Sequence, residues 1–220
     1  MTIWFATGNV HKKNELSAIL AGANVLSDGR EFLIPADAGL DFDPEETETT
    51  FNGNALLKAR ELYSLLNRNG AWHRGDAVIA DDSGLCVDGL DGRPGILSAR
   101  YAGPEGTAGN GKKLESGERN VLLLGELGDN PCRSARFVCS MVLFYSPDRF
   151  FLAQETFEGE IVKGPDFAAG TGGFGYDPIL FIHERGCTVA QLSEKEKNNI
   201  SHRGKAGKVI ASLLEKTCQN

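Results

Sequence analysis

Two adjacent aspartates and a serine, Asp81, Asp82 and Ser83, come directly after the short apolar run AVIA at positions 77–80. Such a run predicts a buried strand, so the two carboxylates are expected at its end. A solvated turn would account for them simply, because Asp and Ser are common turn residues. Carboxylates at a strand end could instead bind a cation or accept a proton from water.

A second group of acids lies in the stretch DFDPEETETTF at positions 41–51, where Glu45 and Glu46 come shortly before a predicted helix. Taken by itself, this stretch indicates a solvated acidic loop. Beside Asp81 and Asp82 it predicts an oxygen-ligand site for Mg²⁺, since this hard cation takes carboxylates together with substrate phosphates. A metal site is the more economical interpretation of acids that come from separate segments.

The opening segment FATGNVHKKNEL, at positions 5–16, places Thr7, Gly8, Asn9 and Lys12 where a predicted strand gives way to a predicted helix. Free amides and the helix dipole favour an anion at such a junction. A hydroxyl, an amide and a lysine could bind a triphosphate there. The alternative is an N-cap followed by an exposed lysine, which is the more common arrangement.

Two later segments contain further candidate ligand contacts. GTGGFGYDP, at 170–178, combines glycines that allow close backbone approach with Phe174 and Tyr176, either of which could stack on a base. The alternative is a glycine-rich hairpin loop whose aromatic side chains belong to the core. SEKEKNNISHRGKA, at 193–206, indicates either a basic helix cap or specific hydrogen-bond donors, which would be Lys197, His202 and Arg203.

Two glycine-rich patterns match nucleotide-binding loops in part but fail on context. Residues 106–112 match most of a P-loop, yet Lys113 stands where Ser or Thr should bind magnesium, and no predicted strand precedes the segment. Residues 170–175 satisfy G-x-G-x-x-G, yet they lead into a predicted strand, whereas a dinucleotide-binding fingerprint must open a helix. We therefore predict neither a P-loop nor a Rossmann site.

The composition limits the class of protein. The chain has 220 residues, of which 41% are hydrophobic, so it can form one substantial core, and one compact unit is the default. Its net charge of −7 argues against a nucleic-acid or membrane partner. The five cysteines contain no C-x-x-C pair, and the N-terminus lacks the basic and long apolar regions of a secretory signal. No apolar run approaches the roughly 20 residues that span a bilayer, so we expect a cytoplasmic protein.

Alternating strand and helix patterns predict an α/β protein. Strands are predicted at 2–6, 77–80, 136–146, 149–162 and 176–182, and helices at 12–22, 51–70, 112–128 and 204–218. The turn at 146–148 would join the two long strands into a hairpin.

Five segments, taken in order, resemble the inosine triphosphate pyrophosphatase family of non-canonical purine nucleoside triphosphate pyrophosphatases. They are FATGNVHKKNEL, EETETTFNGNALLKA, IADDSGLCVDGLDGRPGILSARYAG, GTGGFGYDP and SEKEKNNISHRGKA. The resemblance implies one α/β domain over residues 1–220, with two lobes, a long central mixed β-sheet flanked by helices, and a substrate cleft between the lobes. It also implies a homodimer that uses Mg²⁺ to cleave a purine nucleoside triphosphate, such as ITP, dITP or XTP, into NMP and pyrophosphate.

The resemblance further implies roles for individual residues. Asp82 corresponds to the family's catalytic acidic residue and to a metal ligand, and Glu46, with Glu45 beside it, falls in the metal-binding segment. The implied substrate-binding residues are Thr7, Gly8, Asn9, Val10, His11, Lys12, Ser83, Phe174, Gly175, Tyr176, Asp177, Lys197, His202 and Arg203. The sequence departs from the family at Gly53, where a Glu is common before the residue that corresponds to Asn54.

Other functions are compatible with parts of the sequence. A non-catalytic nucleotide-binding or sensing protein would keep the fold, but it predicts losses among the acids, and Glu46, Asp81 and Asp82 are all present. A pyrophosphatase of the related septum-inhibitor type would act on modified pyrimidine nucleotides, but GTGGFGYDP and SHRGKA favour the purine branch. A low pKa beside a metal would favour Asp82 as a ligand, whereas a role as general base would need a more distant metal; the sequence leaves both open.

Overall fold

The computed structural model describes residues 1–27, 29–103 and 114–217. The helices in these ranges are α1 (Val10–Gly22), α2 (Phe51–Arg68), α3 (Ser116–Leu127), α4 (Glu194–Ile200) and α5 (His202–Thr217). The strands are β1 (Thr2–Phe5), β2 (Glu31–Leu33), β3 (Ala77–Val87), β4 (Ser134–Ser146), β5 (Arg149–Ile161), β6 (Leu180–Ile182) and β7 (Cys187–Thr188). The predicted α/β class is confirmed.

Within the described residues, the strands form one mixed sheet in the order β2-β1-β3-β4-β5-β6-β7. β1 pairs in parallel with both β2 and β3, whereas β6 pairs in antiparallel fashion with both β5 and β7. Parallel neighbours require a crossover connection, and α1 lies between β1 and β2 in the chain. The expected mixed sheet with flanking helices is therefore confirmed.

The chain is organised in two compact units. The first takes its described residues from Met1–Asp82, from Cys139–Glu155 and from the segment that begins at His202. The second comprises described residues of Ser83–Val138 and Thr156–Ser201. Because β3, β4 and β5 are long, each of these strands contributes residues to both units.

Helices cover both faces of the sheet in the first unit. Side chains of a strand alternate between the two faces. On one face, β1, β3 and β4 pack with α1 and α5, through Ile3, Phe5, Leu16, Leu20, Ala77, Ile79, Cys139, Met141, Leu143, Ala206, Ile210 and Leu214. On the other face the same strands pack with α2, through Trp4, Ala6, Ala55, Ala59, Leu62, Leu66, Val78, Ala80, Val142 and Phe144.

Helix α2 forms where the sequence predicts it because its apolar residues share one face. Ala55, Ala59, Leu62 and Leu66 recur at helical spacing and are fully buried. The Thr50 side chain caps the first turn by accepting a hydrogen bond from the backbone N–H of the third helical residue. This cap and this face fix the rotation of α2 about its axis.

The second unit has a core of its own. Helix α3 and the ends of the long strands supply most of it, together with residues 176–192. Its fully or nearly fully buried members include Leu85, Val87, Tyr101, Leu123, Leu127, Ile161, Tyr176, Ile179, Leu180 and Val189.

Two of the predicted strands differ most from the structure, and the short strands β2 and β7 were not predicted. Strand β3 continues to Val87, so the predicted end at position 80 is wrong, and Asp81 and Asp82 lie within the strand. The strand predicted at 176–182 is shortened to β6, because turns occupy the residues before it. The apolar pattern did not predict that β3 continues beyond position 80, because the next two residues are the buried aspartates Asp81 and Asp82.

Some sequence predictions fall on residues that the structure leaves out. The segment 106–112, discarded as a P-loop, lies outside the described residues, as do the first residues of the helix predicted at 112–128. Where it is described, that helix begins at Ser116. In the described part of the chain, every helix is too short or too polar to cross a membrane.

Candidate active site

Asp81 and Asp82 lie on opposite faces of the sheet, because successive side chains of β3 alternate. Asp81 follows Ile79 toward α1 and α5, whereas Asp82 follows Ala80 toward α2. Both side chains are buried, with relative exposures of 1% and 5%. The two neighbours therefore belong to two separate groups of charges, and the interpretation of the pair as a solvated turn is wrong.

Two side chains of α2 hold Asp82. Asn54 and Lys58 are four residues apart on the helix, so both face the strand. Asn54 Nδ2 donates to Asp82 Oδ2 at 3.2 Å, and Lys58 Nζ donates to Asp82 Oδ1 at 3.2 Å. Lys58 Nζ also lies 2.6 Å from Glu46 Oε1. Glu46 and Asp82, which come from separate segments, thus meet the same ammonium group.

The group around Lys58 carries more negative than positive charge. Burial raises the pKa of Asp82 above its usual range, and Lys58 offsets only part of this effect, while Glu46 adds to it. Burial by itself would lower the pKa of Lys58, but the nearby carboxylates of Asp82, Asp81 and Glu46 raise it. A further positive charge at this place would therefore favour the ionised form of Asp82.

The oxygen donors around Lys58 fit a magnesium ion. Mg²⁺ usually takes one or two protein carboxylates and completes its shell with water and substrate phosphates. In the ranges that the structure describes, no three His, Cys, Asp or Glu side chains are grouped so that they could hold a metal ion. A site here would depend on Glu46, on Asp82 and on oxygens from substrate or water. Glu45 is exposed, and its role as a ligand stays a prediction.

On the other face, cations from α1 and α5 surround Asp81. Lys12 Nζ lies 3.1 Å from it, and Arg203 donates to Asp81 Oδ2 through Nε at 3.2 Å and Nη2 at 3.1 Å. Arg203 Nη1 donates to Glu15 Oε2 at 2.6 Å. Burial opposes ionisation, but Lys12 and Arg203 outweigh it and hold the pKa of Asp81 well below its usual range. In this group two carboxylates balance two cations.

Arg203 and His202 open α5, and both are buried. Each guanidinium nitrogen of Arg203 contacts a carboxylate oxygen, and the side chain is 2% exposed. These contacts hold the Arg203 guanidinium beside Asp81 and Glu15. The roles of His202 and Arg203 as nucleotide contacts stay predictions.

The residues between β1 and α1 form a capped helix N-terminus. Asn9 is the N-cap, and its side chain accepts from His11 N at 2.9 Å and from Lys12 N at 3.3 Å. Thr7 Oγ1 accepts from Asn9 N at 3.1 Å. Thr7 is buried, whereas residues 8–11, which include Gly8 and Val10, are exposed. The N-cap is confirmed, but the expected exposed lysine is wrong, because the Lys12 side chain is 15% exposed and pairs with Asp81. The binding of a triphosphate by the same residues stays a prediction.

In the second unit, the structure brings Phe174, Asp177 and Lys197 together. Lys197 Nζ lies 2.8 Å from Asp177 Oδ2 and 4.8 Å from the centre of the Phe174 ring. Asp177 Oδ2 also accepts from Phe174 N at 2.7 Å. Phe174 is half-buried, so its ring is partly accessible. Ser83 is also half-buried, and its contact with substrate stays a prediction.

Tyr176 belongs to the core of the second unit. It is 3% exposed, and its hydroxyl donates to Ser98 O at 2.9 Å. The backbone oxygen of the preceding residue, Gly175, accepts from Asn120 Nδ2 at 3.2 Å. For Tyr176 the alternative of a core aromatic is therefore confirmed, and Phe174 is the better placed of the two rings for stacking on a ligand.

Several residues around Asp81 and Asp82 were not predicted to have a role from the sequence. Asn54 and Lys58 stand four residues apart on α2, and Glu15 stands three residues after Lys12 on α1, so each lies on the same helix face as a partner. This spacing could have identified them from the sequence as neighbours of the site residues. The sequence did not show which position of β3 each helix face contacts.

Replacing Gly173 by alanine is expected to lower the free energy of unfolding by about 3 kcal/mol or more. The backbone at Gly173 has φ +69°, and a Cβ there would lie 2.0 Å from Asp177 Oδ2 and 3.1 Å from Lys197 Nζ. The buried ion pair would therefore separate. Urea denaturation monitored by circular dichroism measures the change.

Gly175→Ala is the matched control for this prediction. Gly175 also has a positive φ of +66°, but a Cβ there would meet nothing within 4 Å. Only backbone strain of about 1 kcal/mol is expected. Equal losses in the two variants would show that strain, and not the Asp177–Lys197 pair, determines the cost.

Comparisons with known proteins identify matches over nearly the whole chain. The model of the Ham1 family matches residues 3–213. A dITP/XTP pyrophosphatase of Treponema denticola is 45% identical over 206 residues, 94% of each chain. A dITP/XTP pyrophosphatase of Escherichia coli K12 is 42% identical over 213 residues, 95% of each chain. Among solved structures, the Ham1 protein of Staphylococcus aureus is 35% identical with a TM-score of 0.76, covering 99% of this chain and 100% of that one.

Proposed function

The chain belongs to the Ham1 family, and on that premise we propose that it hydrolyses non-canonical purine nucleoside triphosphates to a nucleoside monophosphate and pyrophosphate. The proposed substrates are ITP, dITP and XTP. The observation that carries the proposal is the meeting of Glu46 and Asp82 on Lys58. Such a set of two carboxylates and one ammonium suits a triphosphate that arrives with Mg²⁺.

Asp82 is proposed as the central catalytic residue. Its two oxygens have different partners, since Asn54 binds Oδ2 and Lys58 binds Oδ1 on the side of Glu46. Oδ1 is therefore the oxygen that we assign to a cation or to an attacking water. The raised pKa of Asp82 makes its carboxylate a better proton acceptor near neutral pH.

Glu46 and Asp82 are proposed to hold Mg²⁺, with Glu45 as a further candidate. The bound ion would offset the charge that develops on the phosphates during cleavage of the α–β phosphoanhydride. Lys58, released from one of its two carboxylates, can then contact a phosphate oxygen as a point charge.

The remaining substrate contacts are proposed by motif. Residues 7–12 bind the triphosphate, Ser83 contacts the substrate, residues 174–177 bind the base, and Lys197 is one of the remaining nucleotide contacts. Among these, Phe174 stacks on the base, because its ring is partly accessible while Tyr176 is buried. His202 and Arg203 complete the nucleotide contacts, and Arg203 also holds Asp81.

Three properties beyond the reaction are also proposed. The protein acts as a homodimer, in line with the family resemblance, and it works in the cytoplasm. Its partner is a small-molecule nucleotide, and its net charge of −7 disfavours nucleic acid and anionic membrane surfaces. Light scattering coupled to size-exclusion chromatography measures the oligomeric state directly.

The reaction is tested by following products from ITP, XTP, dITP, dUTP and ATP in the presence of Mg²⁺. We expect nucleoside monophosphate and pyrophosphate from ITP, XTP and dITP, little turnover of dUTP and ATP, and loss of turnover when EDTA removes the metal. Phosphorus NMR identifies the bond that is cleaved.

Each alternative function has its own outcome in this assay. Nucleoside diphosphate and orthophosphate as products would show that a different bond is cut. Preference for dUTP would favour the septum-inhibitor type. Binding of ITP without turnover would indicate a non-catalytic nucleotide-binding protein.

A further inference from the structure

Asn54 links two segments of the first unit that are far apart in sequence. Its side chain is fully buried. Oδ1 accepts from the backbone N–H of Glu48 at 3.0 Å, and Nδ2 donates to Asp82 Oδ2 at 3.2 Å. One carboxamide therefore joins the backbone of the acidic loop, residues 41–50, to the carboxylate of Asp82 on β3.

A second contact seats the same loop on α2. A Cβ built at Gly53 would lie 2.8 Å from Glu48 Cβ and 3.0 Å from both Glu48 Cγ and Glu48 Oε2. The Glu48 side chain thus occupies the space into which a side chain at position 53 would extend. Gly53 permits this close approach, and the loop rests against the first turn of α2 directly beside Asn54.

These contacts determine where Glu46 stands relative to Asp82. Lys58 also contacts both carboxylates, but its ammonium carries a positive charge that a cation would repel. Asn54 is neutral, and its two hydrogen bonds use Asp82 Oδ2 and the backbone N–H of Glu48, not Asp82 Oδ1 or the Glu46 carboxylate. It can therefore keep its two hydrogen bonds when a cation binds.

We propose that Asn54, supported by the packing of Glu48 on Gly53, is a positioning residue. It holds the Glu46 and Asp82 carboxylates in the relative position that binding of a divalent cation requires. This inference rests on the proposed function, which assigns the cation to these two carboxylates. Groups that orient metal ligands through hydrogen bonds typically change metal affinity by 10- to 100-fold when they are removed.

The first test is the binding of Mn²⁺ to the nucleotide-free protein, measured by the loss of the free Mn²⁺ signal in electron paramagnetic resonance. Asn54→Leu keeps the approximate size of the side chain and removes both hydrogen bonds. Its Kd for Mn²⁺ is expected to rise about 10- to 100-fold. Asn67→Leu is the matched control, because Asn67 is an exposed asparagine of α2 whose side chain donates to Tyr63 O within the same helix.

The second test changes the loop contact without removing a polar group. Gly53→Ala should improve the intrinsic helix propensity of α2, so a purely helical effect would raise Tm. The proposal instead expects weaker Mn²⁺ binding, because the added methyl displaces Glu48 and with it the loop. Gly125→Ala in α3, where a Cβ would meet nothing within 4 Å, is the control that should raise Tm and leave Mn²⁺ binding unchanged.

The outcomes separate this inference from the proposed function. Wild type that binds Mn²⁺ no better than Asp82→Asn would overturn the cation site, and the inference with it. If Asp82→Asn loses binding while Asn54→Leu and Gly53→Ala keep wild-type affinity, the cation site stands and the positioning role is wrong. If Asn54→Leu does not fold, Gly53→Ala decides by the same criterion.

Discussion

Asp82→Asn is expected to lower kcat for ITP by at least about 10²-fold while the protein remains folded. Asparagine cannot accept a proton from water, and it offers a cation a neutral oxygen in place of a charged one. The measurement is steady-state pyrophosphate release at saturating ITP and Mg²⁺. Asp88→Asn, a change at an aspartate exposed on the surface of the second unit, is the control and should leave kcat unchanged.

The surroundings of Asp82 explain why the fold should survive this change. Burial raises the pKa of Asp82, so the folded protein does not favour its charged form. An asparagine of the same shape can still accept from Asn54 Nδ2, and Lys58 retains Glu46 at 2.6 Å. The free energy of unfolding should change by less than about 1.5 kcal/mol. Near-normal turnover by the folded variant would remove Asp82 from the mechanism.

The proximity of Glu46 and Asp82 could be predicted from the sequence. Both residues lie in acidic segments beside predicted elements, and Mg²⁺ binds carboxylates together with substrate phosphates. The same reasoning did not separate Asp81 from Asp82. It ended the strand at position 80, since Asp is uncommon within strands. Side chains on helices that are distant in sequence contact both carboxylates inside β3, and Arg203 is 122 positions from Asp81. A local pattern contains no information on such partners.

The aromatic pair of the glycine-rich segment shows the same limit. Phe174 and Tyr176 are equally plausible stacking residues by composition. The structure distinguishes them through the Ser98 carbonyl, which binds the Tyr176 hydroxyl within the core, and through Lys197, which lies over the Phe174 ring. Both partners come from segments remote in sequence, so the assignment depends on tertiary packing. Helix α2, whose cap and apolar face are local, was predicted almost to the residue.

Asp81→Asn is expected to lower the free energy of unfolding by about 3–5 kcal/mol near pH 7, whereas Asp82→Asn should change it little. Lys12 and Arg203 hold the pKa of Asp81 well below its usual range, so the folded state strongly prefers the carboxylate. Removing that charge leaves the buried Arg203 with Glu15 as its remaining carboxylate among the contacts described above. Urea denaturation of both variants beside wild type measures the difference.

The pH dependence of this loss follows from the sign of the pKa shift. A carboxyl group whose pKa is depressed by folding contributes stability that is complete above its unfolded pKa of about 3.9 and is lost as pH falls toward its folded pKa. The gap in unfolding free energy between wild type and Asp81→Asn should therefore stay constant down to about pH 5 and narrow below about pH 4. Asp82→Asn should show no such narrowing, because the folded pKa of Asp82 is raised. An Asp81→Asn protein as stable as wild type near pH 7 would show that Lys12 and Arg203 do not depend on Asp81 for their place in the fold.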